Sequence, residues 1–293
     1  MSAAIGVPVA GGELAVYRLG SQRRDAPAVL AVHGITATSF AWLSCAAALG
    51  DEVSLIAVDL RGRGESGRLP GPFGLDAHVS DLVAVLDALA LPRPVVVGHS
   101  MGAYIAARLG ARHPDRVSSL VLVDGGLTIP GSAEVDPEPF MRAFLGPALA
   151  RLELTFESLD AYVAWWHKHP AFTGSDIDPA VLRRYAEHDL VGDPPALRSS
   201  VNPDILRPDG VDVLRSDDAH RLALPAVLLC APRGMVNDPN PMQPLELVRA
   251  WAAEDPERRR ALQVPDVNHY TITLGAAGAA AVAAEVRAAV AGT

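Results

Sequence analysis

Apolar positions along the chain fall into two rhythms. The fully apolar run Ala28–Val32 and the largely apolar runs Val53–Val58, Pro94–Val97 and Val117–Val123 predict strands buried on both faces. Between them, apolar residues recur three or four positions apart, as at Val79, Leu82, Val83, Val85, Leu86 and Leu89. That spacing predicts helices over Phe40–Leu49, Asp76–Leu89 and Ala103–Arg112. Ile5–Val9 and Leu14–Leu19 read as two further strands around the turn at Gly11-Gly12. Strands of this kind alternating with helices imply a parallel sheet covered by helices on both sides.

The rhythm breaks after Gly126. Residues 127–220 hold few strand-like runs and much Pro, Asp and Trp, with helical patterns at Phe140–Leu149, Leu159–His167 and Pro179–Leu190. The alternation returns at Ala226–Cys230, Pro244–Ala253, Ala261–Val264 and Ala276–Val290. The expected organisation is an α/β core made of residues 1–126 and 221–293, interrupted by a helical cap over 127–220. No internal repeat and no long low-complexity tract is visible.

Composition narrows the function classes. The 293 residues are 49% hydrophobic and 20% charged, an ordinary globular balance, with a formal net charge of −9. Lys168 is the only lysine, and no basic stripe of the kind a phosphate backbone needs is present, so nucleic acid is not an expected partner. No run reaches the roughly 20 apolar residues of a membrane span. The start, MSAAIGVPVAGGEL, lacks a signal-peptide pattern, and Cys45 and Cys230 both sit in apolar stretches. Two such cysteines make no disulfide framework, and a cytoplasmic protein without a membrane partner is expected. His167-Lys168-His169 offers metal-ligand types at close spacing but no acidic or cysteine partner pattern, so no metal is expected there. "DLRGRGESG" (59–67) matches neither phosphate-binding glycine pattern, and its Asp59 and Arg61 are read as local polar contacts in a tight loop.

The chemistry concentrates in "VVVGHSMGA" (95–103). An apolar strand stops at Gly98, shows His99-Ser100-Met101, and resumes after Gly102 as an alanine-rich helix. A serine at such a junction either caps the helix or serves as a nucleophile, and a cap requires neither glycine. Serine needs a base at neutral pH, and His269, in "VPDVNHYTI" after the last predicted strand, is the candidate. An oxyanion needs fixed donors. The Met101 N–H at the helix start is one, and the Ile35 N–H is the other, in "AVHGITATS", where Gly34 lets the chain turn. His33 is read as a hydrogen-bonding residue of that loop.

Together, "HGITATS", "DLRGRGESG", "VVVGHSMGA", "LVLVDGG" and "VNHY", in this order, resemble the α/β-hydrolase superfamily. The resemblance implies a mostly parallel eight-stranded sheet flanked by helices, with a helical cap inserted after strand 6. It also implies a triad in the chain order serine, acid, histidine. Many relatives carry the acid after strand seven, but in "LLCAPRGMVNDP" that position is Gly234, and Asp238 lies four residues further on. Asp124, at the end of strand 6, is the preferred acid, because some members of the superfamily place it there; Asp238 remains the alternative. Asp266 is read as a solvated loop residue. Cap helices in this fold roof the pocket, which makes Trp165 and Trp166 candidate substrate contacts or ordinary packing residues.

The expected activity is serine hydrolysis of a small, fairly apolar carboxylic ester or lactone through an acyl-enzyme, with no cofactor and a small molecule as partner. Carbon–carbon bond hydrolysis, thioester cleavage and cofactor-free perhydrolysis on the same triad stay open, as does a non-catalytic ligand-binding role. The sequence carries no sign of oligomeric state.

Overall fold

A computed structural model of the chain describes residues 3–128, 131, 132, 136, 139 and 145–292. Eight strands form one sheet: β1 (Ile5–Val9), β2 (Gly12–Gly20), β3 (Ala28–Val32), β4 (Ser54–Val58), β5 (Val95–His99), β6 (Leu120–Val123), β9 (Ala226–Cys230) and β10 (Arg259–Gln263). Their order across the sheet is β1-β2-β4-β3-β5-β6-β9-β10. The two pairings made by β2 are antiparallel and all the others are parallel.

The apolar runs are continuous because both faces are covered, and side chains alternate between two cores. Leu30, Val32, Ile56, Val58, Val96, Leu120, Leu122 and Leu228 face one core. Helices α2 (Leu75–Ala88) and α3 (Met101–Arg112) fill that side with Val79, Leu82, Val85, Leu86, Ile105 and Leu109. Val29, Ala31, Leu55, Ala57, Val95, Val97, Val121, Val123 and Leu229 face the other core, against α1 (Leu43–Leu49) and the C-terminal helix over Ala276–Ala291.

The long stretch between β6 and β9 contains α4 (Gly146–Leu152), α5 (Leu159–Lys168), α6 (Pro179–Asp189), a two-stranded ladder of β7 (Leu190–Val191) with β8 (Arg198–Ser199), and α7 (Leu206–Arg215). Of the helix expected over Phe140–Leu149, residues 140–144 lie outside the described residues. After β9 come α8 (Leu245–Glu254), β10, the short α9 (Thr271–Leu274) and α10 (Ala276–Ala291). Among the described residues no helix is long and apolar enough to cross a membrane.

Some boundaries differ from expectation for local reasons. The helix expected from Phe40 begins as a tight 3-10 turn over Ser39–Trp42, so the α-helix proper starts at Leu43. Helix α7 was not expected, because Pro208 and Gly210 interrupt its pattern. Pro208 is tolerated because it falls in the first turn, where the amide lacks an intrahelical acceptor.

Chain direction decides where loops collect. From β3 the chain moves outward to β4, then returns to β5 on the other side of β3, so the order reverses between β3 and β5. A crevice forms at the carboxyl ends of strands at such a reversal. The residues following β3, β5, β6 and β10 are His33-Gly34-Ile35, Ser100, Asp124 and the loop carrying His269.

Candidate active site

Ser100 joins β5 to α3 with φ 53° and ψ −123°, a left-handed conformation that costs a residue with a Cβ on the order of 1–3 kcal/mol. The turn is possible only because of its flanking glycines. A Cβ on Gly98 would overlap the Gly102 carbonyl, and one on Gly102 would overlap the Val32 carbonyl of the neighbouring strand. Ser100 occupies the N-cap position of α3, yet its hydroxyl makes no capping bond. The backbone anchors the turn instead: Ser100 N–H donates to the Val123 carbonyl (2.9 Å), and its carbonyl accepts from Ala103 N–H (2.9 Å).

His269 and Asp124 meet across 145 positions of sequence, with His269 Nδ1 2.7 Å from Asp124 Oδ2. Both are buried. Asp124 itself has φ 47°, and its N–H donates to the Leu229 carbonyl (2.7 Å). Its Oδ1 accepts from Ala231 N–H (3.0 Å), which leaves Oδ2 for the imidazole. A carboxylate only accepts, so His269 Nδ1 carries a proton, which in the neutral imidazole puts the lone pair on Nε2. His269 is held from the other side through its own carbonyl, which accepts from His99 Nε2 (2.8 Å). Burial, followed by the neighbouring His269, keeps the His99 imidazole well below its usual pKa, so it is neutral, with the proton on Nε2. Asn268 fixes the same loop: its side-chain oxygen accepts from the Tyr270 and Thr271 N–H groups (3.0 Å each), and its amide donates to the Ala171 carbonyl (2.8 Å).

Ser100 and His269 line one small cavity of about 30 Å³ together with His99, Gly34, Ile35, Thr36 and Ala37. Ala41, Leu145, Tyr185, Met235, Tyr270, Thr273 and Leu274 complete the lining. Met101 opens α3, so its N–H has no acceptor inside the helix. The Gly34 carbonyl accepts from His33 Nδ1 (2.7 Å) and from Ala37 N–H (3.2 Å). In a trans peptide this turns the Ile35 N–H the opposite way, free of that anchor. His33 is fully buried, its Nε2 accepts from Leu60 N–H (3.0 Å), and burial pushes its pKa down to about 3, so it stays neutral as a loop brace.

Asp238 stands elsewhere. Against a burial that would raise it, hydrogen bonds from Asn240 and from the backbone of Asp238 and Val236 hold its carboxyl below the usual range, so the group serves its own turn. Trp165 and Trp166 are absent from the described lining of the cavity. Trp166 is buried one layer behind it, 5.7 Å from the Tyr185 ring and 6.1 Å from the Tyr270 ring, and Trp165 is half-buried against Trp166. Asp266 is exposed at φ 59°. Asp59 and Arg61 reach further than their own loop: Asp59 accepts from Ser39 N–H (2.8 Å) and faces His188 Nε2 of α6 (2.9 Å), while Arg61 pairs with Asp81 of α2 (2.7 Å).

Two arginines that the sequence reading passed over grip the loop after β3. Arg63 Nε donates to the Ile35 carbonyl (3.0 Å). Arg151 of α4 donates to the Thr36 carbonyl (2.6 Å) and to Tyr162 (2.5 Å), and pairs with Asp189. Nothing local marks either residue. Arg63 sits among glycines, and Arg151 lies in a segment with no clear period.

The sequence profile of the α/β hydrolase fold family matches residues 27–194. A lipase of Mycobacterium tuberculosis, LipV, is 37% identical over 169 residues, which cover 57% of this chain and 58% of that lipase's own length. Among solved structures, E-2-(acetamidomethylene)succinate hydrolase superposes with a TM-score of 0.76 at 20% identity, covering 97% of this chain and 96% of the other. A thermophilic esterase from Thermogutta terrifontis superposes at 0.66 and 21% identity, covering 100% and 98%. At these identities the structural likeness speaks to the fold.

Proposed function

The chain belongs to the α/β hydrolase fold family, and from that premise we propose that it is a serine hydrolase that cleaves a small, fairly apolar carboxylic ester or lactone through an acyl-enzyme. Ser100 Oγ attacks the carbonyl carbon while His269 Nε2 takes its proton. Asp124 fixes the imidazole tautomer and stabilises the imidazolium that forms. The Ile35 and Met101 N–H groups receive the negative oxygen of the tetrahedral intermediate. Collapse expels the alcohol, protonated by His269, and a water activated by the same imidazole then releases the acid.

The observation that carries this reading is the buried 2.7 Å contact between His269 and Asp124, with His269 lining the same cavity as a serine held in a strained turn. The hydroxyl is not used as a cap, which leaves it available for chemistry. The apolar lining from Ile35, Ala37, Ala41, Leu145, Met235 and Leu274 and the narrowness of the cavity support a short, uncharged acyl group. The reading is tested with p-nitrophenyl esters of two to twelve acyl carbons beside a set of γ- and δ-lactones. Turnover should peak among the short esters or lactones and vanish in Ser100→Ala. Turnover confined to long acyl chains, or retained in Ser100→Ala, contradicts it.

A further inference from the structure

Arg63 lies in the glycine-rich turn after β4 and is completely buried. Among the described residues its guanidinium has one salt-bridge partner, Asp209 of α7, at 2.5 Å, and Asp209 is equally buried. The remaining donors are directed. Nη1 donates to the Arg61 carbonyl (2.9 Å), Nε donates to the Ile35 carbonyl (3.0 Å), and Nη2 lies 3.7 Å from Met101 Sδ. The two residues proposed to supply the oxyanion donors, one in the loop after β3 and one at the start of α3, are therefore both in contact with one side chain. Asp209 is in turn fixed from α2 and its approach, accepting from Gly74 N–H (2.7 Å) and facing His78 Nε2 (3.1 Å).

We infer that Arg63, locked by Asp209 of the segment between β6 and β9, is a positioning residue that sets the geometry of the oxyanion hole; this rests on the reading of Ile35 and Met101 given above. The Gly34 carbonyl is anchored by His33 and the Ile35 carbonyl by Arg63, so both peptide planes flanking Ile35 are pinned. With both planes pinned, the Ile35 N–H has one direction and cannot follow a rotation of the loop. A planar fork reaches the Ile35 carbonyl, Met101 Sδ and Asp209 at once, which a single ammonium cannot do. Because Asp209 belongs to α7, the hole is complete only when that helix is seated against the core.

Arg61 provides a matched comparison. It is as deeply buried and pairs with Asp81 at 2.7 Å, but its other donors go to the Pro70 and Ala10 carbonyls, outside the site. Arg63→Lys should lower kcat for p-nitrophenyl acetate by about 10- to 100-fold with KM changed by less than about threefold, whereas Arg61→Lys should stay within about twofold of the parent in both. The paired change Arg63→Met with Asp209→Asn removes both charges together and keeps an acceptor for the Gly74 N–H, so the loss of kcat can be read there if Arg63→Lys fails to fold. A second readout is the fluorine spectrum of the hemiketal formed with an alkyl trifluoromethyl ketone. Its oxyanion should ionise at a pH at least about one unit higher in the Arg63 variants than in the parent, and at an unchanged pH in Arg61→Lys. Equal kcat and equal hemiketal ionisation across parent, Arg63 and Arg61 variants overturn the inference and leave the nucleophile assignment standing. A parent chain that forms no adduct at Ser100 overturns the nucleophile assignment, and the inference with it.

Discussion

Replacing Asp124 by Asn isolates the role of one oxygen. The side chain keeps its size, and its Oδ1 can still accept from Ala231 N–H as it does at 3.0 Å now. What changes is the atom facing His269 Nδ1 at 2.7 Å, which becomes an N–H₂ donor. The imidazole must then present a lone pair at Nδ1 and carry its proton on Nε2, the nitrogen that in the proposed mechanism receives the Ser100 proton. The same carboxylate-to-amide change in a serine protease triad lowers kcat about 10⁴-fold, equivalent to roughly 5.5 kcal/mol of transition-state stabilisation, and a loss of that order is expected here. Folding should be little affected, because a neutral amide in a buried site leaves no charge uncompensated; a change of about 1 kcal/mol would move Tm by about 2–4 °C. Short p-nitrophenyl esters under saturating conditions, with Asp238→Asn in parallel, give the comparison. Asp238→Asn should keep kcat within about threefold of the parent, since its carboxylate is engaged by its own turn and lies outside the site. A chain carrying Asp124→Asn that retains more than a tenth of the parent kcat, or an Asp238→Asn chain that loses more than the Asp124 variant, refutes the assignment of the acid.

Gly102→Ala pushes a methyl group into the Val32 carbonyl, a backbone atom with nowhere to move, and should destabilise the chain by on the order of 3 kcal/mol in urea unfolding; a loss below about 0.5 kcal/mol would show that the strand–helix contact is looser than described. His33 is neutral when folded, with a pKa of about 3, while the unfolded imidazole titrates near 6.5, so between those values the unfolded chain binds more protons. Its stabilising contribution is therefore complete above about pH 6.5 and falls as the pH drops toward 3, by about 1.4 kcal/mol per unit in the middle of that window. Unfolding free energies at pH 7.5 and 5.0 should fall less steeply for His33→Gln than for the parent, and an identical pH dependence would remove the argument that His33 is a neutral brace.

How much of this was visible in the sequence follows from how local each feature is. The turn at Ser100 is written in nine consecutive residues, because the strand, both close-approach glycines and the helix that follows are neighbours in the chain. The alternation of β3 to β6 with helices is local in the same way, and its boundaries shift by one to three residues, as where a 3-10 turn intervenes at Ser39–Trp42. The choice between Asp124 and Asp238 is a different kind of question. It depends on which strand end the His269 loop returns to, and 145 residues separate Asp124 from His269. Arg63 and Asp209 are 146 positions apart and share no periodicity or motif, and Asp209 lies in a helix whose pattern Pro208 and Gly210 disguise. Trp165 and Trp166 attracted notice through their size, but size alone does not say which of two aromatic layers meets the cavity; Tyr185 and Tyr270 occupy the nearer one.

The central claim is that Ser100 is a nucleophile activated by His269. Incubating the chain with a fluorophosphonate, digesting it and mapping the adduct by mass spectrometry tests that claim at the atom concerned. The account predicts a single phosphonylated residue, Ser100, with the labelling rate reduced at least about 100-fold in His269→Gln. Labelling at another residue, no labelling, or a rate indifferent to the His269 change would contradict it.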